Sequence, residues 1–158
     1  MNLPEGSISA LGMAPTSRYD QSPEEMLAYV LQCLEPSELA YILAGAGESV
    51  ANQSPEEMLA YVLQCLKPSK LAYILTEAEE SVAIALLSFL NEEQQTKLIK
   101  EYRRTVITVV IKSCDLEGAI LSVGNAIRDQ VVDELLRMGY KSVVEEVRSR
   151  EIEITMRS

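Results

Sequence analysis

Hydrophobic and polar positions along the chain alternate with helical spacing almost everywhere. Residues 26–34 place Met26, Leu27, Val30, Leu31 and Leu34 on one face of a helix. The same spacing returns at Met58, Leu59, Val62, Leu63 and Leu66. Residues 77–90 (EAEESVAIALLSFL) are apolar around most of the circumference in their second half, which predicts the central, most buried helix. A helix from Asn91 to about Arg104 follows, with Leu98, Ile99 and Tyr102 on its inner face. Residues 105–113 (TVITVVIKS) are β-branched and favour a strand by propensity. Their neighbours are helical, and the one other strand-like pattern is Glu151-Ile152-Glu153-Ile154, so a buried helix is expected there. Further helices are expected from Asp115 to about Val123, from Asn125 to Met138, and from Ser142 to about Arg150. The expected fold is all-α: about eight short helices joined by tight turns, with helical-repeat packing.

End signals support these limits. Ser22 and Ser54 are expected N-caps, with Pro23 and Pro55 at the first helical position and Glu25 and Glu57 closing capping boxes. Pro36 and Pro68 stop those helices, and Ser37 and Ser69 can start the next. Thr76-x-x-Glu79, Asn91-x-x-Gln94 and Ser142-x-x-Glu145 are further cap signals. Gly124 and Gly139 are expected to end helices.

The pattern also repeats on a larger scale. Residues 21–51 and 53–83 match at an offset of 32, with 26 of 31 positions identical. Chance does not produce this; it is a segmental duplication. Each copy is a helical hairpin. Five differences separate the copies. Glu35 and Glu38 become Lys67 and Lys70, which reverses the charge of one turn. If the copies lie side by side, these turns attract each other; neutral drift on a solvated turn is the alternative. The remaining three turn Ala44-Gly45-Ala46-Gly47 into Thr76-Glu77-Ala78-Glu79. Copy two therefore looks built into the domain, and copy one looks like an added or looser hairpin. The organisation expected is a flexible leader (1–20), copy one (21–52), a helical array containing copy two (53–150), and a tail (151–158).

Composition narrows the chemistry. The 158 residues carry 24 acidic and 14 basic side chains, a net charge of −10, with no histidine and no tryptophan. Imidazole catalysis and Cys/His zinc sites are excluded. Strong negative charge argues against nucleic acid and anionic membranes as partners. Most of the charge lies in residues 1–100, with 14 acids against 5 bases. No apolar run approaches the roughly 20 residues that span a bilayer. Residues 1–6 lack a basic segment leading into an apolar one, so no signal peptide is expected. Cys33, Cys65 and Cys114 are expected to be buried thiols in a reducing, cytoplasmic compartment. The acidic pairs Glu79/Glu80, Glu92/Glu93, Asp133/Glu134 and Glu145/Glu146 are weak candidates for catalysis, because adjacent helical residues diverge by about 100°. There is no calcium-loop motif and no phosphate-binding loop.

Two stretches carry a family resemblance. One is Asp115-Leu116 with Ala119-Ile120, followed by Ile127-Arg128-Asp129 and Val131-Val132. The other is Leu59, Val62, Leu63 and Leu66, then Pro68, Leu71, Ile74 and Leu75. Over about residues 55–150 the pattern resembles FliG-type flagellar motor switch proteins, and the cytosolic helical domain of MgtE-type magnesium transporters. The resemblance implies an armadillo-like array and a protein-binding role. The flagellar family's Glu-His-Pro-Gln-Arg motif is absent, and its Met-Ser-x-Arg signature is not matched at Leu135–Arg137, so no partner-binding residue is carried over.

The expected function is a non-enzymatic interaction or scaffold module, part of an oligomeric bacterial assembly of the motility type. The alternative is an acidic cation-binding or regulatory domain of a transporter system. No catalytic, cofactor-binding or metal residues are assigned, and no cofactor is expected. Candidate partner-binding residues are Glu35, Glu38, Lys67, Lys70, Tyr29 and Tyr61. Tyrosines recur at Tyr29, Tyr41, Tyr61 and Tyr73, suited to an interface, or half-buried between helices with surface hydroxyls. The partners expected are proteins, including a second copy of the chain by domain swapping, since copy one of one molecule can take the place of copy two in another.

Overall fold

The structure, a computed structural model, describes residues 19–47 and 52–157. It is all-α. Among the described residues there are ten helices and no strand. Copy one forms α1 (Pro23–Cys33) and α2 (Pro36–Ala46), and copy two forms α3 (Pro55–Cys65) and α4 (Pro68–Glu77). The rest is α5 (Glu80–Phe89), α6 (Glu92–Glu101), α7 (Arg103–Ile111), α8 (Leu116–Ser122), α9 (Asn125–Arg137) and α10 (Lys141–Arg157). No described helix is long and apolar enough to cross a membrane.

The cap chemistry explains most boundaries. Ser54 Oγ accepts the Glu57 N–H at 3.2 Å, and the Glu57 carboxylate accepts the Ser54 N–H at 3.0 Å, a complete capping box. In copy one Ser22 Oγ accepts the Glu25 N–H at 3.1 Å, while the Glu25 carboxylate takes the Ser22 hydroxyl instead. The second helix of each copy starts earlier than its serine suggests. Glu35 and Lys67 are the N-caps, with Pro36 and Pro68 at the first helical position. A residue before proline is pushed into the extended region, so the break falls on Glu35 and Lys67. Ser37 and Ser69 lie inside the helices.

Other end signals are displaced, and Ser142, expected to open the last helix, lies inside α10, which begins at Lys141. Thr76 does not cap a helix; its hydroxyl donates to the Ala72 carbonyl at 2.9 Å inside α4. The break comes at Ala78 and Glu79, which are extended. Gly124 does not end α8 in a left-handed conformation; at φ −74° and ψ 168° it is the N-cap of α9, so Asn125 is already helical. Gly139, at φ +91°, does end α9 as expected. The region expected as one helix to Arg104 breaks at Tyr102 (φ −129°, ψ 43°), and α7 starts afresh. That helix covers the β-branched stretch, and its Val106, Ile107 and Val110 are buried.

The core is centred on α5. Five consecutive residues, Ala83, Ile84, Ala85, Leu86 and Leu87, are buried, and α1, α4, α7 and α8 pack against the helix. A helix buried on every side must be apolar all round. Copy two joins this core through α4, which buries Leu71, Ala72, Ile74 and Leu75 against α5, α6 and α7. The equivalent helix of copy one buries only Ile42. Leu43 is 57% exposed, whereas its counterpart Leu75 is 3% exposed.

Three polar contacts lock the array. Buried Gln95 donates to the Leu90 carbonyl at 2.8 Å and accepts the Gly124 N–H at 2.9 Å. Glycine is required at 124 for space, because a Cβ there would lie 2.4 Å from Gln95 Oε1. Arg128 closes the end of α8 by donating to the Ile120, Leu121 and Val123 carbonyls, and pairs with Glu151 at 2.8 Å. Glu151 lies on α10, which runs through the stretch expected as a tail and reaches Arg157. The alternating Glu-Ile pattern has no strand to join among the described residues, and Thr155 bonds back to the Glu151 carbonyl at 2.9 Å as helix geometry allows. Third, Tyr19 is buried, donating to the Glu80 carboxylate at 2.6 Å and accepting the Asp115 N–H at 3.2 Å. Of the stretch expected as a flexible leader, residues 1–18 lie outside the described residues, and the end at Tyr19 is anchored.

Gln95→Leu strands the Leu90 carbonyl and the Gly124 N–H, and is expected to cost about 2–3 kcal/mol. Gly124→Ala presses on the same buried side chain and is expected to cost about 1–3 kcal/mol. Urea denaturation of each variant, and of the pair to expose their coupling, measures both.

Candidate protein-interaction site

The two hairpins meet through the same residues on both sides. Helix α1 packs against α3, its own counterpart in the other copy. Tyr29 donates its hydroxyl to the Ile74 carbonyl at 3.3 Å, and Tyr61 donates to the Ile42 carbonyl at 3.1 Å. Shifting the first contact by the repeat offset of 32 gives the second with the copies exchanged. Glu38 pairs with Lys70 at 3.2 Å, and these two residues are counterparts of each other. Head-to-tail stacking, as in a solenoid, brings residue i of one unit to residue j of the next without the converse. Reciprocal contacts, with one position meeting its own counterpart, define an isologous pairing about an internal two-fold axis.

The surroundings of the two phenols obey the same rule. Burial, the Cys33 thiol, Glu77 and Tyr73 hold the Tyr29 phenol above its ordinary range. The Cys65 thiol, then burial and Tyr41, raise that of Tyr61. The one position that differs is 45/77. Gly45 sits where a Cβ would lie 2.8 Å from the Tyr61 hydroxyl, and its counterpart is Glu77. The shorter of the two tyrosine bonds lies on the glycine side.

Near the axis α2 and α4 face each other across a groove of about 500 Å³. Its lining includes three counterpart pairs: Ser37 and Ser69, Glu38 and Lys70, Tyr41 and Tyr73. Tyr41 is 76% and Tyr73 53% exposed, so each hairpin contributes an aromatic face to solvent. Lys70 Nζ stands 5.1 Å from the Tyr73 ring centre, within range of cation–π attraction. The Glu38 carboxyl is held below its ordinary range, first by the Glu35 N–H, which it accepts at 2.8 Å, and then by Lys70. Lys67 and Lys70 place positive charge at the N-terminal turn of α4, against the helix dipole. The pair with Glu38 offsets that cost across the interface.

Of the six candidate residues, the structure brings Tyr29, Tyr61, Glu38 and Lys70 into the hairpin interface. Lys67 lines the groove, and Glu35 contributes its backbone N–H. The Tyr29 and Tyr61 hydroxyls donate to backbone carbonyls across the interface. Glu80 holds Tyr19 and the Cys114 N–H, and Glu134 pairs with Arg103 and Arg137, so these candidate acids serve the fold. Cys33 and Cys65 are half-buried, and Cys114 is exposed rather than buried, because it lies in the turn between α7 and α8. Among the described residues no group of three or more Asp, Glu or Cys side chains is placed to hold a metal ion. The sequence pattern did not single out Tyr19 or Arg128 for these roles. A lone aromatic in a polar stretch was the signal for Tyr19; Arg128 gave none apart from its place in the resemblance. No family model, curated protein or solved structure matches the chain.

Tyr29→Phe and Tyr61→Phe are each expected to destabilise the fold, and to a similar extent. Their similar cost, read from thermal or urea unfolding, checks the equivalence of the two contacts. The Glu38 carboxyl is depressed in the folded state, so its contribution is complete above the ordinary value of 4.5 and is lost as pH falls through the lower folded value. Hydrogen exchange in α1 and α2 is expected to quicken on going from pH 6 to pH 3 by more than Glu38→Gln shows over the same interval, after correction for intrinsic rates.

Proposed function

We propose that the chain is a non-enzymatic protein–protein interaction module whose working element is the duplicated hairpin. The observation that carries this is the reciprocal hairpin interface, a surface already complementary to a helical hairpin. The exposed Tyr41 and Tyr73 at its groove add the side-chain type that interfaces favour, with large area and a polar tip. The acidic N-terminal half supports a protein partner over nucleic acid or an anionic membrane. The resemblance to FliG-type proteins supports an oligomeric bacterial assembly of the motility type as the setting, with α3 onward as the armadillo-like part.

Photoreactive residues at positions 41 and 73 in cells test this directly. Discrete, reproducible protein adducts are expected from both positions, and few from an exposed control such as Glu145. Uncrosslinked chain alone at both positions overturns the proposal.

A further inference from the structure

We propose that Glu38 and Lys70 form a pairing code at the internal two-fold axis, and that the copy-two hairpin accepts the copy-one hairpin of a second molecule as well as its own. This deepens the interaction reading and rests on it: the partner named is another copy of this chain.

An isologous interface has three possible combinations. Copy one on copy one sets Glu38 against Glu38. Copy two on copy two sets Lys70 against Lys70. Copy one on copy two sets opposite charges together, which is the 3.2 Å pair observed. The tyrosine-to-isoleucine bonds do not discriminate in this way, because both copies carry the same tyrosine and the same isoleucine at the reciprocal positions. The side chains of Lys70 and Glu38 are only 20% and 34% exposed, so a like-charged pair there is poorly relieved by solvent. The charge reversal therefore gives the interface a direction that identical copies lack.

Exchange also loses little. Copy one continues into the rest of the chain only through residues 48–53, and it packs through α1 on α3 and α5. Tyr19 closely precedes copy one and travels with it, so its bonds to Glu80 and Asp115 re-form on the receiving molecule. Each molecule then gives one hairpin and receives one, and the assembly closes as a two-fold dimer.

Two charge reversals separate the code from mere stickiness. Glu38→Lys alone sets Lys against Lys, and Lys70→Glu alone sets Glu against Glu, within one molecule and in its own dimer. When the two variants are mixed, the introduced lysine of the first meets the introduced glutamate of the second. The unaltered Glu38 of the second then meets the unaltered Lys70 of the first. Full-length variants with distinct mass tags are unfolded, mixed in equal amounts, refolded in low salt and counted by native mass spectrometry. The ratio of heterodimer to the two homodimers taken together, one to one for random pairing, is expected to rise about tenfold, from two restored pairs. In 1 M NaCl, where the screening length is about 3 Å, the excess is expected to vanish. The double variant Glu38→Lys/Lys70→Glu is expected to match wild type, which controls for folding. A statistical mixture at low salt overturns the code while leaving the interaction reading standing. Absence of dimers from every mixture overturns docking between molecules. Loss of the photo-adducts described above is the separate failure of the interaction reading itself.

Discussion

A surface that meets its own copy obeys a constraint that other surfaces escape: whatever lies on the axis faces itself. Two identical hairpins pair tolerably only while the axial residues are small, apolar or uncharged. Position 38/70 is axial, and there the copies differ in the sign of charge. The other differences fall where the environments of the copies diverge. Copy one ends at Gly47 with φ +66°, whereas copy two turns directly into α5 through extended Ala78 and Glu79. Position 44/76 lies in this same last turn, and Thr76 is bonded within it. Position 45/77 lies under a tyrosine hydroxyl. Four of the five differences thus have a local physical reason. The fifth, Glu35 to Lys67, changes an N-cap beside the groove, and nothing in the structure explains it.

The copies therefore share a sequence and differ in burden. Copy two is held from two sides, by copy one on α3 and by the core on α4. Copy one is held chiefly along α1. The exposure of Leu43 against the burial of Leu75 expresses that difference at a single pair of positions. The glycine-rich end of copy one pointed to it, since Ala44-Gly45-Ala46-Gly47 favours a following helix less than Thr76-Glu77-Ala78-Glu79 does. Near-identical hairpins in unequal surroundings also explain why the periodicity of α2 exceeds its burial: the same apolar pattern is buried in α4 and only partly covered in α2.

Local chemistry was legible in the sequence, and symmetry was not. Capping boxes at Ser54 and Asn91, the all-round apolar α5 and the helical state of residues 105–113 follow from spacing and propensity over short windows. The shift of the cap to Glu35 and Lys67 shows a stronger local rule, the restriction before proline, prevailing over a serine cap. The expectation at Gly124 failed because glycine serves two needs, conformation and space, and only the position of Gln95 tells which. Tyr19 and Arg128 act across 61 and 23 residues of chain, to Glu80 and to Glu151, where no window reaches. The two-fold is of the same kind. A repeat states that two units are alike, while translation and rotation both satisfy that likeness. Contacts between units decide, and the Glu38 to Lys70 reversal was the one trace of them in the sequence.

For the proposed exchange, tethering would set the balance between one molecule and two. A hairpin joined to its site by a short connection experiences a local concentration on the order of millimolar. Pairing within the molecule therefore dominates in dilute conditions, with no difference in contacts. A closed exchange keeps the same interfaces, so what separates monomer from dimer is association entropy and whatever the connection at 48–53 costs in each form. The charge pair enters neither quantity when both states contain it. It acts on the alternatives that lack it, pairings of like copies that would otherwise open the assembly into chains. In the proposed exchange a modest surface attraction, worth about 0.2–1 kcal/mol when exposed, would thus govern which assemblies form while contributing little to how stable any one of them is.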